Sequence, residues 1–190
     1  MAQLTSHHYE QRRLRLLAQR VVGSTVLDIG YAQHPNRYLS GVHRVGVDLN
    51  QPTTPSGYEE ELVDNVFALA ELLPGRRFDT IICGEFIEHI ENPYELLRTL
   101  REVLSPGGRL LMSTPNPLGF PVVALEYLRS RTFFYTKEHV YYFSPRWAER
   151  LLERCGFSVR EVAPVGLWLP VGFVPFPIVS LSYQVIYVAE

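Results

Sequence analysis

Short apolar segments of strand length alternate with amphipathic segments of helical period along most of this 190-residue chain. The strand-like segments are TVLDI, HRVGVDL, ELVDN, FDTIICGEF and RLLMSTP, with FSVREVAPV and YQVIYVA near the end. Helices are predicted at the N-terminus, briefly over residues 36–40, over VFALAELL, after Asn92 with Pro93 in its first turn, and after Ser144. Because crossover connections between parallel strands are right-handed, this alternation predicts a parallel sheet covered by helices on both faces.

The length of the chain favours one hydrophobic core and therefore one domain. We expect an α/β, Rossmann-like doubly wound, mostly parallel seven-stranded sheet. Within residues 1–190, an N-terminal helix (1–23) precedes a first half (24–115) that carries the crevice of the sheet. The second half (116–190) contains a lid-like insertion, residues 116–143, with the aromatic run FFY inside it.

The charge balance and the two cysteines exclude several classes of partner. A net charge of -2 and a pI near 6.3 give no reason to expect nucleic acid binding. The arginines of EQRRLRLLAQR are interpreted as the solvated face of the first helix. Cys83 and Cys155 lack metal-ligand spacing, so we expect core thiols, no metal site and a reducing, cytoplasmic location. Neither a signal peptide nor a membrane span is expected, because prolines interrupt the uncharged tail.

Polar residues and glycines follow the predicted strands where a ligand would bind. In open α/β sheets the ligand lies beyond the carboxyl ends of the strands, where the strand order reverses. Asp48 ends the second strand, and a carboxylate there can accept hydrogen bonds from both hydroxyls of an adenosine ribose. The alternative for Asp48 is a local turn or helix cap.

The segments VLDIG, VGVDLN, LVDN, FDTIICGEFIEHI and LSPGGRLLMSTPNP, in this order, resemble the class I S-adenosylmethionine-dependent methyltransferases. The late segment EHVYYFSPRWAERLLERCGF is similar to small-molecule members of that superfamily. The resemblance implies S-adenosylmethionine as cofactor, with the adenine near Asp64 and Asn65 and the methionine part flanked by Gly84 and Glu85. Asp28 is expected to brace the following loop through backbone amides. The cofactor-binding residues implied are Asp28, Gly30, Tyr31, Ala32, Asp48, Leu49, Asp64, Asn65, Gly84 and Glu85.

The loop after the first strand departs from the family pattern of three glycines. Its glycine positions hold Gly30, Ala32 and His34. A bulky residue at the third position conflicts with the close packing or left-handed turn that glycine allows there. Because S-adenosylmethionine has no pyrophosphate, we interpret the loop as a reshaped, working cradle. The alternatives are a noncatalytic binding or regulatory module and, from another class, a nicotinamide-dependent reductase.

Methyl transfer to an oxygen or nitrogen that carries a proton is helped by a general base. His139 is the first candidate and His89 the second, although each could instead make an ordinary structural contact. Tyr142 and His34 are candidates for acceptor binding.

The chemical identity of the acceptor is less determined than that of the cofactor. Long uncharged stretches favour a small-molecule acceptor of hydrophobic character. The alternatives are a membrane-proximal lipid as the acceptor, a homodimer through residues 116–135 or 165–181, and ordinary core packing.

Overall fold

The computed structural model describes residues 2–120, 122–128, 138–169 and 172–190. Eight strands form one sheet in the order β3-β2-β1-β4-β5-β8-β6-β7. The strands are β1 (Thr25–Ile29), β2 (His43–Asp48), β3 (Glu60–Val63), β4 (Phe78–Gly84), β5 (Leu104–Pro115), β6 (Val159–Leu169), β7 (Gly172–Val174) and β8 (Gln184–Ala189). The helices are α1 (Ala2–Ala18), α2 (Leu69–Leu72), α3 (Pro93–Glu102), α4 (Val122–Tyr127) and α5 (Pro145–Arg154). The aromatic run at 133–135 lies outside the described residues.

Strand β1 is paired on both sides and carries the reversal of strand order. It pairs in parallel with β2 on one side and with β4 on the other. The chain runs outward from β1 through β2 to β3, and then returns to the other side of β1 as β4. The carboxyl ends of β1, β2 and β4 therefore surround a topological switch point, where ligands bind in such sheets.

The predicted mostly parallel sheet is confirmed, with one strand more than expected. Strands β1 to β5 are parallel, whereas β8 runs antiparallel to both β5 and β6. The additional strand is β7, a three-residue edge strand paired with β6. A periodicity argument misses it because three residues are too few to show an alternation.

The two faces of the sheet carry separate hydrophobic clusters. One contains buried residues of α2, α3 and α5, and the other contains buried residues of α1. Within the described ranges, none of the helices combines the length and the apolar character needed to cross a membrane.

The brief helix predicted over residues 36–40 is wrong, because this segment is a turn. The side chain of Asn36 accepts a hydrogen bond from the Tyr38 amide at 3.1 Å and donates one to the Leu14 carbonyl at 3.0 Å. Asn36 is completely buried, and its local bond competes with helix formation. The segment is therefore tied to α1.

Helix α1 does not direct all of its arginines to solvent, so the expectation of a wholly solvated basic face is wrong for Arg13. Arg13 is only 3% exposed and lies one turn from the buried residues Tyr9 and Leu17. Arg15 is exposed and stacks over Tyr38, as a surface arginine would. Residues 9, 13 and 17 recur every four positions, so they share one helical face.

Helix α3 begins as its sequence predicts. Asn92 accepts a hydrogen bond from the Glu95 amide at 3.2 Å, and Pro93 occupies the first turn. Its buried side includes Leu96, Leu97 and Leu100. The equivalent residue of α5, Ser144, makes no side-chain capping bond.

We predict that Asn92→Ala lowers the free energy of unfolding by about 1 kcal/mol, because a helical amide loses its capping acceptor. Ser144→Ala is the matched control at a helix start, and its effect should stay within about 0.5 kcal/mol. Urea unfolding of both variants measures the difference. Equal losses would contradict the capping role assigned to Asn92.

Candidate functional site

A cavity of about 730 Å³ opens at the carboxyl edge of the sheet. Its size is in the range of small-molecule sites. It is bounded by α1, by the loops after β1 and β2, and by the segment after β4. Nine of the residues predicted for the site line it: Asp28, Gly30, Tyr31, His34, Asp48, Leu49, Gly84, Glu85 and His89.

Five predicted residues do not line this cavity. Ala32 lies beside it, and its amide donates to the Asp48 carboxylate. Asp64 and Asn65 are exposed and bond to local backbone: Asp64 accepts from the Asn65 amide, and Asn65 accepts from the Phe67 amide. Asn65 thus caps the short 3-10 helix Val66–Ala68, and adenine recognition by these two residues stays a prediction. The ring of His139 packs against the cavity residue His89, and Tyr142 packs against His139.

The glycine-poor loop leaves the cavity open. Gly30 has a φ of 73°, and a Cβ atom there would lie 2.4 Å from the Phe86 ring, so only glycine fits. The Tyr31 side chain is 1% exposed and packs into the core below the loop. It stacks on Tyr58 and lies over Gly46, whose added Cβ would come within 2.6 Å of three Tyr31 ring atoms. His34 is exposed at the cavity rim.

Two backbone amides, from the loops after β1 and β2, position the Asp48 carboxylate. One carboxylate oxygen accepts from the Ala32 amide at 3.1 Å and the other from the Asn50 amide at 2.9 Å. Each oxygen has a further lone pair, and the residue lines the cavity. The carboxylate can therefore accept two more hydrogen bonds from a ligand.

Asp28 braces the loop indirectly, through a buried tyrosine, and not through backbone amides as expected. The Tyr58 hydroxyl donates to the Asp28 carboxylate at 2.5 Å and accepts from the Asn36 amide at 2.9 Å. Burial raises the pKa of Asp28 to about 7, with a further increase from the nearby charge of Asp48. The Tyr58 hydrogen bond and the charge of Arg13 oppose this increase.

Arg13 is a cavity residue that the sequence interpretation missed. Its Nε atom donates to Glu10 at 2.9 Å, and its Nη1 atom donates to the Ser113 hydroxyl at 3.3 Å. Both Glu10 and Arg13 line the cavity. The spacing of Tyr9, Arg13 and Leu17 along one helix face was the available signal.

Two carboxyl groups follow β4: that of Glu85 is partly buried and that of Glu88 is buried. Glu85 adopts a φ of 53°. Its carboxylate accepts hydrogen bonds from the Ser113 hydroxyl and from the side-chain amide of Gln184. Burial and then the charge of Glu88 raise the pKa of Glu85. Glu88 is 1% exposed, and burial raises its pKa to about 7. An uncommon backbone conformation at a cavity residue is typical of functional sites.

The two candidate bases lie next to each other. The rings of His89 and His139 are 4.7 Å apart in an edge arrangement, and Tyr142 packs on the other side of His139 at 5.5 Å. His89 Nδ1 lies 3.1 Å from the Glu138 carbonyl, which can only accept. Nδ1 therefore carries the proton, and Nε2 of a neutral ring is an acceptor. Burial and the charge of His89 lower the pKa of His139.

This geometry agrees with a family match that covers most of the chain. Residues 1–162 match the family described as Methyltransferase domain. The chain belongs to this methyltransferase family. The family and the Rossmann-like fold predicted from the sequence are thereby confirmed.

Similar proteins of the methyltransferase family include two bacterial ubiquinone biosynthesis O-methyltransferases. The one from Dechloromonas aromatica (strain RCB) is 28% identical over 151 residues, which are 68% of this chain and 64% of that protein. The one from Aeromonas salmonicida (strain A449) is 30% identical over 93 residues, 47% of this chain and 39% of that protein. The chain thus spans less than two thirds of the length of either relative.

Among solved structures, a SAM-dependent methyltransferase from Thermotoga maritima, described as a possible histamine N-methyltransferase, has the same fold. The TM-score is 0.73 at 16% identity, and the match covers 98% of this chain and 91% of the other. At this identity the likeness is one of fold.

We predict that the free energy of unfolding of Asp28→Asn, relative to that of the native protein, increases as the pH rises from about 4 to 7. Because the pKa of Asp28 is raised in the folded state, the folded protein binds the Asp28 proton more tightly than the unfolded chain does. The stability that the native protein gains from this proton is lost as the pH rises through that interval. Asparagine still accepts from Tyr58 but does not titrate. We expect the difference in unfolding free energy to change by at least about 1.4 kcal/mol, the equivalent of one pKa unit.

Urea unfolding at several pH values measures this change. Asp79→Asn is the control, because hydrogen bonds from Ser24 and Thr25 lower the pKa of Asp79. The contribution of Asp79 to stability is therefore present above about pH 4 and is lost as the pH decreases below that value. Parallel pH curves for Asp28→Asn and the native protein would refute the assignment of a raised pKa to Asp28.

Proposed function

We propose that this domain is an S-adenosylmethionine-dependent methyltransferase that acts on an oxygen or nitrogen of a small, hydrophobic molecule. The observation that carries the proposal is the convergence of Asp48, the close-approach backbone of Gly30, and the buried Arg13 on one cavity. Asp48 matches a ribose, Gly30 matches a part of the ligand that passes close to the protein backbone, and Arg13 matches a carboxylate. The family match and the names of the relatives support the same activity.

The chain's own residues fit the parts of S-adenosylmethionine. Asp48 has acceptor capacity left for the ribose hydroxyls, and Arg13 has donor capacity left for the methionyl carboxylate. Carboxylates around the cavity, including Asp28 and Glu85, suit the positive sulfonium and amino groups. When bound, this cofactor supplies a methyl group on a positively charged sulfur.

The protein's contribution to catalysis is positioning of the acceptor and removal of its proton. Orientation of the acceptor in line with the methyl group is worth several kcal/mol in such displacements. His89 lines the cavity with its Nε2 atom available as an acceptor, so it takes the proton at that atom. His139 packs behind His89 and keeps it in place, and Tyr142 supports His139. The geometry thus favours His89 over His139 as the base.

The hydrophobic character of the acceptor is supported by an exposed apolar surface beside the sheet edge. This surface is formed by two segments of the chain. Residues 118–128 contribute Leu118, Phe120, Val123, Tyr127 and Leu128, and residues 174–181 contribute Val174, Ile178 and Leu181. The two segments are joined by the bond from the Phe120 amide to the Leu181 carbonyl, 3.1 Å long. The relatives named for ubiquinone biosynthesis favour an O-acceptor, whereas the Thermotoga protein's description favours an amine.

A homodimer through residues 116–135 or 165–181 is the second use that this surface allows, and the structure describes both ranges only in part. Sedimentation of the protein at micromolar concentration distinguishes a monomer from a dimer. A cytoplasmic location stays a prediction from the sequence.

Isothermal titration with S-adenosylmethionine and S-adenosylhomocysteine tests the proposal first. We expect binding of both, followed by methyl transfer to hydroxyl- or amine-containing hydrophobic acceptors in a radiolabelled-methyl assay. Absence of heat and of a thermal shift at millimolar ligand would favour the noncatalytic module instead.

We predict that Asp48→Ala weakens binding of S-adenosylmethionine at least about tenfold, or about 1.4 kcal/mol, because the ribose hydroxyls lose their acceptor. Titration calorimetry on the folded variant measures the loss. Asp64→Ala, measured in parallel, separates the predicted adenine contact from the local turn. Unchanged affinity in Asp48→Ala would show that the ribose lies elsewhere.

We predict that His89→Ala reduces kcat by about 10² to 10⁴, the usual contribution of a general base, with cofactor affinity nearly unchanged. His139→Ala should reduce kcat less, because it removes only a neighbour of the base. Steady-state kinetics and calorimetry on both variants measure these effects. A larger loss of kcat in His139→Ala would restore His139 as the base.

A further inference from the structure

The guanidinium of Arg13 is only partly engaged by the protein. Its side chain is 4% exposed, and that of Glu10 is 17% exposed. The Nε and Nη2 atoms both donate to the Glu10 carboxylate, and Nη1 donates to the Ser113 hydroxyl. A guanidinium has five N–H donors, so two of them make no hydrogen bond to the part of the chain that the structure describes.

The pattern of used and unused donors has a geometric consequence. Nε and Nη2 form the side edge of the guanidinium, which Glu10 occupies with both of its oxygens. One N–H of Nη1 and one N–H of Nη2 have no partner among the described residues, and the one on Nη2 lies on the end edge that these two nitrogens share. Guanidinium donors left in this way can bind a carboxylate. Glu10 therefore determines which donors of Arg13 are offered.

The guanidinium of Arg13 lies beside the cavity, at the carboxyl end of β4. A Cβ atom added to Gly84 would lie 2.4 Å from Arg13 Nη1, which places the guanidinium directly against the end of β4. Glu10, Arg13 and Gly84 all line the cavity. Charged groups that also act on Arg13 are Glu85, Glu88 and Asp28, and none of the three forms a hydrogen bond with it among the described residues.

We infer that Glu10 is a positioning residue that makes the cofactor site selective for ligands with a carboxylate at the methionyl end. Together with the Ser113 hydroxyl, Glu10 restrains the guanidinium of this long side chain, so that its remaining Nη1 and Nη2 donors stay available to the ligand. Without this clamp, the ligand carboxylate would have to order Arg13 itself, at a cost in side-chain entropy. A ligand without a carboxylate gains nothing from the clamp. The inference rests on the proposed binding of S-adenosylmethionine.

The test compares S-adenosylmethionine with its decarboxylated form, because both carry the sulfonium and only one carries the carboxylate. Calorimetry gives the ratio of the two affinities for the native protein, Glu10→Ala, Glu10→Gln and the control Arg15→Ala. Arg15 lies on the same helix, is exposed and stacks on Tyr38, so its removal leaves the Glu10 clamp intact. Thermal unfolding confirms that each variant is folded.

We expect the native protein to prefer the carboxylate-bearing ligand and Glu10→Ala to lower that preference about tenfold, with the decarboxylated ligand bound within about threefold of native. Glu10→Gln should lower the preference about two- to fivefold, since one of the two accepting oxygens is replaced by an NH2 group that can only donate. Arg15→Ala should keep the native ratio. If Glu10→Ala does not fold, the Glu10→Gln ratio decides the question.

Several results would overturn the inference. These are an unchanged ratio in the folded Glu10 variants, an equal loss of affinity for both ligands, or a native protein without preference between them. Tighter binding of S-adenosylmethionine by Glu10→Ala would instead make Glu10 a competitor for Arg13, and would also overturn it. Failure of the native protein to bind either ligand contradicts the proposed function, and is thereby distinguished from failure of the inference.

Discussion

The parallel pairing of β1 with β2 on one side and β4 on the other is the constraint on which the site depends. It brings the ends of three strands together at a point where no crossover covers them. Asp28, Asp48 and Gly84 reach the cavity because each lies at or next to the end of one of these strands. The remaining contacts act on this framework by adjusting loops and charges around it.

Charge is the second organising feature of the site. Carboxyl groups from several elements surround the cavity, and Arg13 on α1 is a buried cation among them. Burial raises the pKa of Asp28, Glu85 and Glu88, so these groups hold protons more readily than exposed carboxyls do. A cationic ligand group near these carboxyls stabilises their ionised form, so the site suits a ligand that combines cationic centres with one carboxylate, as the methionyl end of S-adenosylmethionine does.

The loop after β1 illustrates how tertiary packing replaces a missing local pattern. The usual glycines are absent at positions 32 and 34, yet the backbone still passes close to the cavity at Gly30. The bulk of Tyr31 is accommodated below the loop because β2 carries Gly46 at the facing position. The bond from Asn36 to Tyr58 then fixes the far end of the loop. None of these partners is adjacent to the loop in sequence.

By itself, the sequence determined the alternating architecture, the capped start of α3, the end of β2 at Asp48 and the need for glycine at position 30, because periodicity, capping and strand ends are local properties. It did not reveal the turn at Asn36, the burial of Arg13 or the position of His89, rather than His139, at the cavity. Each of these depends on partners that are distant in the chain: Tyr58 beside Asn36, Ser113 beside Arg13, and the Glu138 carbonyl beside His89. Only the tertiary structure decides such contacts, since burial and hydrogen bonding are set by what the fold brings together and not by neighbours in sequence.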